Sequence, residues 1–315
     1  MTRRLFALAA AEGLAESLCR DFGIAPGALS RRQFPDGETY LRLMTPVDRQ
    51  DVILLCTLDR PDAKLLPLLF AAAAARAQGA RSVGLVAPYL SYMRQDRAFH
   101  PGEAITSATF ARLLSDDLDW LITLDPHLHR YPSLETIYSV PSFVASAAAP
   151  IAAWIRREVD NPVIIGPDEE SRQWVARIAK LAGARSTVFK KTRRGDFDVS
   201  ITADEAVARE GATPVIVDDI ASSARTMIEA VQLLRGAGMP PPVCVAVHPI
   251  FAGDAYEKLL EAGPTRVVST TAVPHPSNAI DISVEIGALI DQAVEAAHRG
   301  APGPPGRSPP KVEGS

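Results

Sequence analysis

Two adjacent carboxylates follow an apolar strand in the second half of the chain, in residues 215–226, which read VIVDDIASSART. In an open α/β sheet, ligands bind beyond the carboxyl ends of the strands, and the start of a helix favours a phosphate. Asp218 and Asp219 suit ribose hydroxyls, or a Mg²⁺ held through water. Three side chains could donate hydrogen bonds to a phosphate: Ser222, Ser223 and Thr226. The segment therefore indicates a site for a phosphorylated ribose, although exposed acids before an ordinary helix cap would have the same sequence.

Two cationic segments are compatible with phosphate chemistry. Residues 190–194 place four cations in five positions, and cations that close over a transferring phosphate lower its barrier electrostatically. A solvated loop would have the same composition. Arg94 and Arg97 flank Gln95 and Asp96, so two guanidinium groups could grip a polyphosphate, or form a solvated ion pair with Asp96.

A carboxylate and two imidazoles alternate at the end of another predicted strand. Asp125, His127 and His129 could share one face of an extended segment. Together they could bind a divalent ion, but Mg²⁺ prefers oxygen ligands, so a histidine ligand would be unusual. For His129 we expect an ordinary surface or packing role.

The elements that must position these residues are short apolar strands alternating with helices. Predicted strands are residues 5–9, 52–56, 82–87, 120–124, 163–166, 187–190, 214–217, 243–247 and 266–270. Predicted helices are residues 63–78, 107–116, 171–181, 224–236 and 281–298. Continuous apolar strands separated by helices indicate mainly parallel sheets with helices on both faces, so the fold class is α/β.

The two halves of the chain have a similar pattern. In each, an apolar strand leads into a proline and a polar loop, at Pro88 and at Pro167, and a later strand ends in aspartate. We predict two similar domains, residues 1–145 and 146–299. The tail, residues 300–315, has no core-forming pattern and is predicted to be disordered. The helix at 281–298 could pack on either domain.

These motifs occur together, in the same order, in a known family. Residues 215–226 are similar to the phosphoribosyl-pyrophosphate loop of the type I phosphoribosyltransferase fold. Five other segments resemble ribose-phosphate pyrophosphokinases: residues 34–38 (FPDGE), 88–97 (PYLSYMRQDR), 124–127 (LDPH), 167–171 (PDEES) and 190–194 (KKTRR). The resemblance extends over roughly residues 1–290. It implies two phosphoribosyltransferase-like domains and transfer of the β,γ-diphosphate of ATP to ribose 5-phosphate.

The resemblance also implies roles for particular residues. It assigns ATP binding to Phe34, Asp36, Glu38, Arg94, Gln95, Asp96 and His127. Ribose 5-phosphate is expected to contact Asp168, Asp218, Asp219, Ser222, Ser223, Ala224 and Thr226. The catalytic cations are Lys191 and Arg193, and the metal, Mg²⁺, is assigned to His127 and Asp168. A homo-oligomer is expected because in the family the Phe34 loop acts across a subunit interface.

Each nucleotide-side assignment has a physical basis. Phe34 offers an aromatic face on which adenine could stack, and Asp36 and Glu38 could accept hydrogen bonds from adenine and ribose. The same residues predict a β-turn at Pro35–Gly37, and a turn can present its side chains.

Some positions differ from the family pattern. Arg225 replaces the last glycine of the phosphate loop, where it could bind the phosphate or narrow the site. Glu170 and Ser171 replace the usual Gly-Gly after Asp168, a version similar to the archaeal branch, which lacks the common allosteric behaviour. Two alternatives follow: a catalytically silent homologue that assembles with an active subunit, and a phosphoribosyltransferase.

Composition excludes several other classes of protein. The 315 residues are 47% hydrophobic, enough for a large core, and the formal net charge of −4 gives no basic field for nucleic acid. The three cysteines are widely spaced and form no CxxC motif, so neither a disulfide framework nor a zinc site is expected. The longest apolar run, residues 65–75, is too short to cross a membrane. We predict a soluble, cytoplasmic protein.

Overall fold

A computed structural model describes residues 2–11, 13–128, 130–169, 171–194, 198–202 and 211–300. The side chains of residues 190–194, 198–202 and 300 lie outside that description. The chain divides into two compact units. The first holds the described residues of Met1–Ala145 and Ser283–Ser315, and the second holds those of Ser146–Ile282.

Strands and helices alternate along most of the described chain. Its first half contains β1 (Arg3–Ala9), α1 (Leu14–Asp21), β2 (Ala25–Pro26), β3 (Leu29–Gln33), β4 (Thr39–Leu43), β5 (Asp51–Cys56), α2 (Asp62–Ala77), β6 (Ser82–Ala87), α3 (Thr106–Asp117), β7 (Trp120–Leu124) and β8 (Ser142–Ala145). The second half contains α4 (Ala148–Glu158), β9 (Pro162–Gly166), α5 (Arg172–Ala182), β10 (Arg185–Val188), β11 (Lys190–Arg194), β12 (Asp198–Thr202), β13 (Thr213–Ala221), α6 (Arg225–Gly236), β14 (Val243–Pro249), α7 (Ala255–Ala262), β15 (Arg266–Thr270), β16 (Asn278–Ile280) and α8 (Ser283–Gly300).

Each unit contains a six-stranded parallel sheet. The strand order is β2-β1-β5-β6-β7-β8 in the first unit and β10-β9-β13-β14-β15-β16 in the second. Each unit also has an antiparallel hairpin, β3–β4 in the first and β11–β12 in the second. The corresponding strands occupy corresponding places, so the prediction of two similar α/β domains with mainly parallel sheets is confirmed.

The central strands are buried on both faces. Every residue of β5, β6 and β7 is buried, as expected for parallel strands covered by helices on both sides. Gly84 of β6 pairs with Trp120 of β7, and a Cβ atom at Gly84 would overlap the Trp120 ring. Glycine at this position therefore lets a large aromatic side chain pack in the core.

The last helix belongs to the first unit, which corrects the assignment of residues 146–299 to one domain. Helix α8 packs against α1 and the strands β6, β7 and β8. Two polar contacts accompany this packing: Arg3 forms an ion pair with Asp291, and His298 Nε2 lies 2.9 Å from the Asp51 carboxylate. The sequence predicts the helix but not its place, because its apolar face would suit either sheet.

Two differences from the predicted strands affect candidate site residues. The predicted strand 187–190 is two strands, since β10 ends at Val188 and β11 begins at Lys190, with the buried Phe189 between them. Strand β13 extends to Ala221, so Asp218 and Asp219 lie within the strand instead of after it.

No described helix is long and apolar enough to span a membrane. The tail, residues 300–315, is predicted to be disordered. From residue 301 onward it lies outside the described residues, so this stays a prediction.

Candidate active site

Three carboxylates meet at the carboxyl edge of the second sheet. Strands β9 and β13 are neighbours, with Ile216 opposite Ile165 in register, so Asp168, just after β9, lies beside the part of β13 that carries Asp218. The pKa of Asp218 is raised well above its usual range by burial and by the charges of Asp219 and Asp168. This crowding of negative charge favours a cation at the edge of the sheet.

The loop after β13 forms the start of α6. Ala224 has a left-handed backbone, with φ 53°, and its carbonyl accepts the N–H of Ile228 at 2.9 Å. Ser223 is exposed, and Ser222 and Thr226 are half-buried, so the three hydroxyl-bearing residues remain accessible at the helix start. Within the strand, the N–H groups of Asp219 and Ile220 donate to the carboxylates of Asp218 and Asp219, at 3.0 and 2.7 Å.

The same loop is tied to the segment that follows β14. The N–H groups of Phe251 and Ala252 donate to the carbonyl oxygens of Ala221 and Ser222, at 2.8 and 2.9 Å. The sequence does not predict this contact, because residues 250–254 contain no charged or hydroxyl side chain other than Asp254. The only sequence signal was its place, directly after a buried parallel strand next to β13.

Asp168 lies in the turn between β9 and α5. Its carboxylate accepts the N–H of Ser171 at 3.1 Å, and its carbonyl accepts the Ser171 hydroxyl at 2.7 Å. A Cβ atom at Gly166 would overlap that hydroxyl, so glycine is required here for the tight turn. The turn fixes Asp168 beside β13, while Glu170 lies outside the described residues.

The predicted catalytic cations lie on the hairpin of the second unit. In the backbone register of β11 and β12, Lys191 pairs with Ile201 and Arg193 pairs with Val199. Their side chains lie outside the described part of the structure, so their catalytic roles stay predictions.

The first unit presents the Phe34 loop at the tip of its hairpin. The N–H of Phe34 donates to the Glu38 carbonyl at 2.8 Å, and Gly37, with φ 93°, donates to the Phe34 carbonyl at 2.9 Å. The Asp36 carboxylate accepts the Glu38 N–H at 3.2 Å. The Phe34 ring is 38% exposed, with the Arg32 guanidinium 4.5 Å from its centre. The loop is thus a tight turn whose side chains face solvent in the single chain.

The hairpin is attached to the sheet layer through α2. Pro67 removes one N–H from that helix, which would otherwise bond to the carbonyl of Ala63. That carbonyl accepts the guanidinium of Arg31 at 3.1 Å instead. Arg31 lies on β3, so the contact helps to fix the hairpin that carries Phe34.

The segment predicted to bind ATP is divided between exposed and buried residues. Arg94 is exposed, whereas the Asp96 side chain is only 2% exposed and accepts Arg130 Nη1 at 2.7 Å. The Gln95 carbonyl accepts the Ser107 N–H at 3.3 Å at the beginning of α3. Asp96 and Gln95 therefore help to hold the loop in place. The sequence does not predict a role for Arg130, since nothing in it pairs Arg130 with Asp96.

The strand ends of the first unit bring a second predicted segment beside this loop. Strands β6 and β7 are neighbours, so residues 88–97 and 125–127 leave the same edge of the sheet. Asp125 has φ 33° and donates its N–H to Ala145 at 3.0 Å. His127 is half-buried, and His129 lies outside the described residues. Of the two predicted metal ligands, His127 belongs to the first unit and Asp168 to the second.

The fold and the two strand edges define a duplicated α/β protein of the phosphoribosyltransferase class. The family model for the phosphoribosyl transferase domain matches residues 133–286. The model for the N-terminal domain of ribose phosphate pyrophosphokinase matches residues 3–116. A crystal structure of phosphoribosylpyrophosphate synthetase from Mycobacterium smegmatis has the same fold, with a TM-score of 0.81 and 23% identity over 94% of this chain and 99% of that one.

Curated relatives identify the family. A ribose-phosphate pyrophosphokinase from Methanopyrus kandleri is 31% identical over 91% of this chain and 99% of its own length. Another from Saccharolobus solfataricus is 30% identical over 84% of this chain and 91% of its own. The chain belongs to the ribose-phosphate pyrophosphokinase family.

Proposed function

We propose that this protein transfers the β,γ-diphosphate of ATP to the anomeric hydroxyl of ribose 5-phosphate, giving phosphoribosyl pyrophosphate and AMP. The observation that carries the proposal is the edge formed by β9 and β13. There, the carboxylates of Asp168, Asp218 and Asp219 meet a hydroxyl-bearing loop at a helix start. In a member of this family, that edge is suited to a phosphorylated ribose.

Ribose 5-phosphate occupies the loop after β13. The hydroxyls of Ser222, Ser223 and Thr226, together with the backbone at Ala224, bind the 5-phosphate, because helix starts present unpaired N–H groups to anions. Asp218 and Asp219 accept hydrogen bonds from the ribose hydroxyls. This arrangement holds the anomeric hydroxyl at the open edge of the sheet.

ATP binds through the loops of the first unit. Phe34 stacks on adenine, and Asp36 and Glu38 accept from its donors. Arg94 is exposed and contacts the phosphates, whereas Gln95 and Asp96 act mainly by fixing the loop around it. His127 lies on the neighbouring strand end and completes the phosphate side of the site.

Transfer requires positioning and charge neutralisation more than covalent chemistry. The anomeric hydroxyl attacks the β-phosphorus in line and gives up its proton to water. The bond between that phosphorus and the oxygen bridging it to the α-phosphate breaks, and AMP departs with that oxygen. Lys191 and Arg193 stabilise the charge that develops on the transferring group.

A magnesium ion fits the carboxylates of the second unit. Mg²⁺ takes oxygen ligands, retains waters and is shared with substrate phosphates, so one or two carboxylates suffice. The described residues contain no group of three or more potential ligand side chains placed as a complete metal cage. Asp168 can hold the ion, and a cation bound there would favour the ionised form of Asp218, whose pKa is raised by burial and by the neighbouring carboxylates. Bound Mg²⁺ would neutralise negative charge on the phosphate oxygens. His127 is a less suitable ligand than Asp168, because Mg²⁺ prefers oxygen ligands to nitrogen.

A homo-oligomer is supported by an unusual face of α2. After the exposed Asp62 at its first position, its exposed residues recur at helical spacing and are apolar: Ala63, Leu66, Phe70, Ala73 and Ala77. Leu66 is 56% and Phe70 43% exposed. Such a stripe marks a protein interaction site. A second copy of the chain packed there would cover the stripe, and assembly would allow the exposed Phe34 loop to complete a neighbour's site.

The remaining predictions about partners and location stay predictions. Free thiols at Cys19, Cys56 and Cys244 are typical of a reducing compartment and support a cytoplasmic location. Neither nucleic acid nor a membrane has a place in the proposed reaction.

The experiment that tests the proposal is a product assay with purified protein, Mg²⁺, ATP and ribose 5-phosphate, with nucleotides separated by anion exchange. We expect AMP, formed only when the sugar is present and together with an acid-labile phosphoribosyl product. Lys191→Ala should abolish it, whereas Lys180→Ala, at an exposed position on α5, should not. Production of ADP would identify an ordinary kinase and refute the proposal.

A further inference from the structure

The peptide groups after β13 are held by the turn that follows β14. The N–H groups of Phe251 and Ala252 bind the carbonyls of Ala221 and Ser222, at 2.8 and 2.9 Å. A peptide group is planar and almost always trans, so its N–H points away from its carbonyl. Fixing these two carbonyls therefore also fixes the N–H groups of Ser222 and of the next residue, Ser223.

Both N–H groups therefore point away from the turn that follows β14. The two carbonyls face the β14 edge of β13, and the opposite edge of β13 adjoins β9 and Asp168. Successive N–H groups that point the same way form a concave anion site. The turn at Phe251 thus orients two donors toward the place where the 5-phosphate would bind.

The turn itself has a backbone conformation that a bulky residue rarely adopts. Phe251 has φ 26°, in a region that favours glycine, and its side chain is 7% exposed. Such a conformation persists where the surrounding packing requires it. The packing comes from two other rings: the Phe251 ring centre lies 5.1 Å from that of Tyr256 and 4.7 Å from that of His275.

His275 is fixed from the other side by the segment between β15 and β16. Its Nδ1 accepts the Ser277 N–H at 3.2 Å and lies 2.8 Å from the Ser277 hydroxyl. The backbone N–H of His275 donates to Asn278 Oδ1 at 3.1 Å. Since a backbone N–H can only donate, the contact with the Ser277 N–H favours the neutral ring that carries its proton on Nε2. The ring cluster is thereby connected to the edge strand of the sheet.

We propose that Phe251, held between His275 and Tyr256, is a positioning residue for sugar-phosphate binding, acting through the carbonyls of Ala221 and Ser222 on the donor N–H groups of the phosphate loop. This rests on the proposed function for the identity of the sugar phosphate. It predicts a selective effect, because the ATP loops belong to the first unit whereas the cluster lies wholly within the second.

The test uses the full-length protein and three variants. Phe251→Leu keeps an apolar side chain but removes the ring, His275→Gln removes the opposing ring, and Tyr256→Phe keeps the ring as the matched control. Equilibrium binding of ribose 5-phosphate is measured by calorimetry without ATP, followed by KM for each substrate and kcat. Thermal unfolding curves identify any variant that fails to fold, and His275→Gln, at a half-buried position, provides the second independent test.

We expect Phe251→Leu and His275→Gln to weaken ribose 5-phosphate binding and raise its KM by about tenfold, with KM for ATP and kcat at saturating sugar within about twofold of wild type. Tyr256→Phe should match wild type. Equal binding by wild type and both folded variants, an equal rise in both KM values, or no sugar-phosphate binding by wild type would overturn the inference. If wild type binds ribose 5-phosphate but forms no AMP, the proposed function is refuted. The affinities of the two variants for ribose 5-phosphate then decide the positioning role on their own.

Discussion

Arg130 Nη1 lies 2.7 Å from the carboxylate of Asp96, joining two loops that leave neighbouring strands of the first sheet. The Asp96 side chain is 2% exposed, whereas that of Arg130 is 45% exposed. Nearby, the Tyr131 hydroxyl donates to the Asp96 carbonyl at 3.3 Å. The ion pair therefore links the predicted ATP segment after β6 to the loop after β7.

Removal of Arg130 should impair ATP binding as well as stability. Arg130→Ala leaves the Asp96 carboxylate buried without this partner, which should cost about 1–3 kcal/mol. The loop that carries Arg94 should also lose its fixed position, so KM for ATP should rise more than KM for ribose 5-phosphate. Urea unfolding and steady-state kinetics measure the two effects, with Arg112→Ala, at an exposed position on α3, as the control. An unchanged KM for ATP would show that the ion pair has no role in the nucleotide site.

The contact of His298 with Asp51 should stabilise the last helix on the first unit. The Asp51 carboxylate is fully buried and also accepts hydrogen bonds from Arg81 and Ser82. His298→Ala therefore removes one of its partners and keeps the other two. We expect a loss of about 1 kcal/mol in unfolding free energy. His100→Ala, which removes an exposed pair with Glu103, should change stability little. Equal effects of the two variants would contradict the role assigned to His298.

His275 should make the stability of the second unit sensitive to mild acid. Burial lowers the pKa of His275 from its ordinary value of 6.5, while the Glu257 carboxylate acts in the opposite direction. The unfolded chain therefore binds this proton at higher pH than the folded chain does. Its contribution is fully present above the ordinary pKa and is lost as the pH falls through 6.5 toward the lower folded value.

Urea unfolding between about pH 8 and about pH 5 checks this dependence, because histidine changes charge in that range. The stability of wild type relative to His275→Gln should decrease as the pH falls. A constant difference over the whole range would mean that His275 does not change its proton affinity on folding.

The exposed face of α2 should mediate assembly. Leu66→Glu places a charge in the apolar stripe and should shift the protein to smaller species in light scattering at equal concentration. The control is Val284→Glu, because Val284 is 63% exposed on α8 and lies outside the stripe. Activity should fall with assembly if the Phe34 loop of a neighbour completes the site. Unchanged mass for Leu66→Glu would locate the interface elsewhere.

The sequence predicts the parallel sheets well because their strands are continuous apolar runs. For example, residues 82–87 and 120–124 were predicted with the bounds that the structure has for β6 and β7. The sequence does not predict the hairpins: β3 and β4 have five residues each, and Leu43 is the one buried residue among them, so neither strand is a continuous apolar run. The placement of α8 depends on contacts such as His298 with Asp51, which are far apart in the sequence.

The candidate site was predictable where chemistry and spacing occur together in one segment. Residues 215–226 carry both carboxylates and hydroxyls after an apolar strand, and the structure places them at the carboxyl edge of the sheet. Phe251 and Arg130 were missed because each acts through a partner remote in the sequence. No local pattern distinguishes such supporting residues from ordinary packing or surface residues.

The most direct test of the central claim follows one phosphorus atom. Protein is incubated with Mg²⁺, ribose 5-phosphate and ATP labelled with ³²P at the β-phosphate, and the products are separated by anion exchange. Diphosphoryl transfer predicts that the label leaves the nucleotide and appears in the acid-labile phosphoribosyl product, with unlabelled AMP formed in equal amount. Label retained in ADP would mean that only the γ-phosphate moves, which would contradict the proposed reaction.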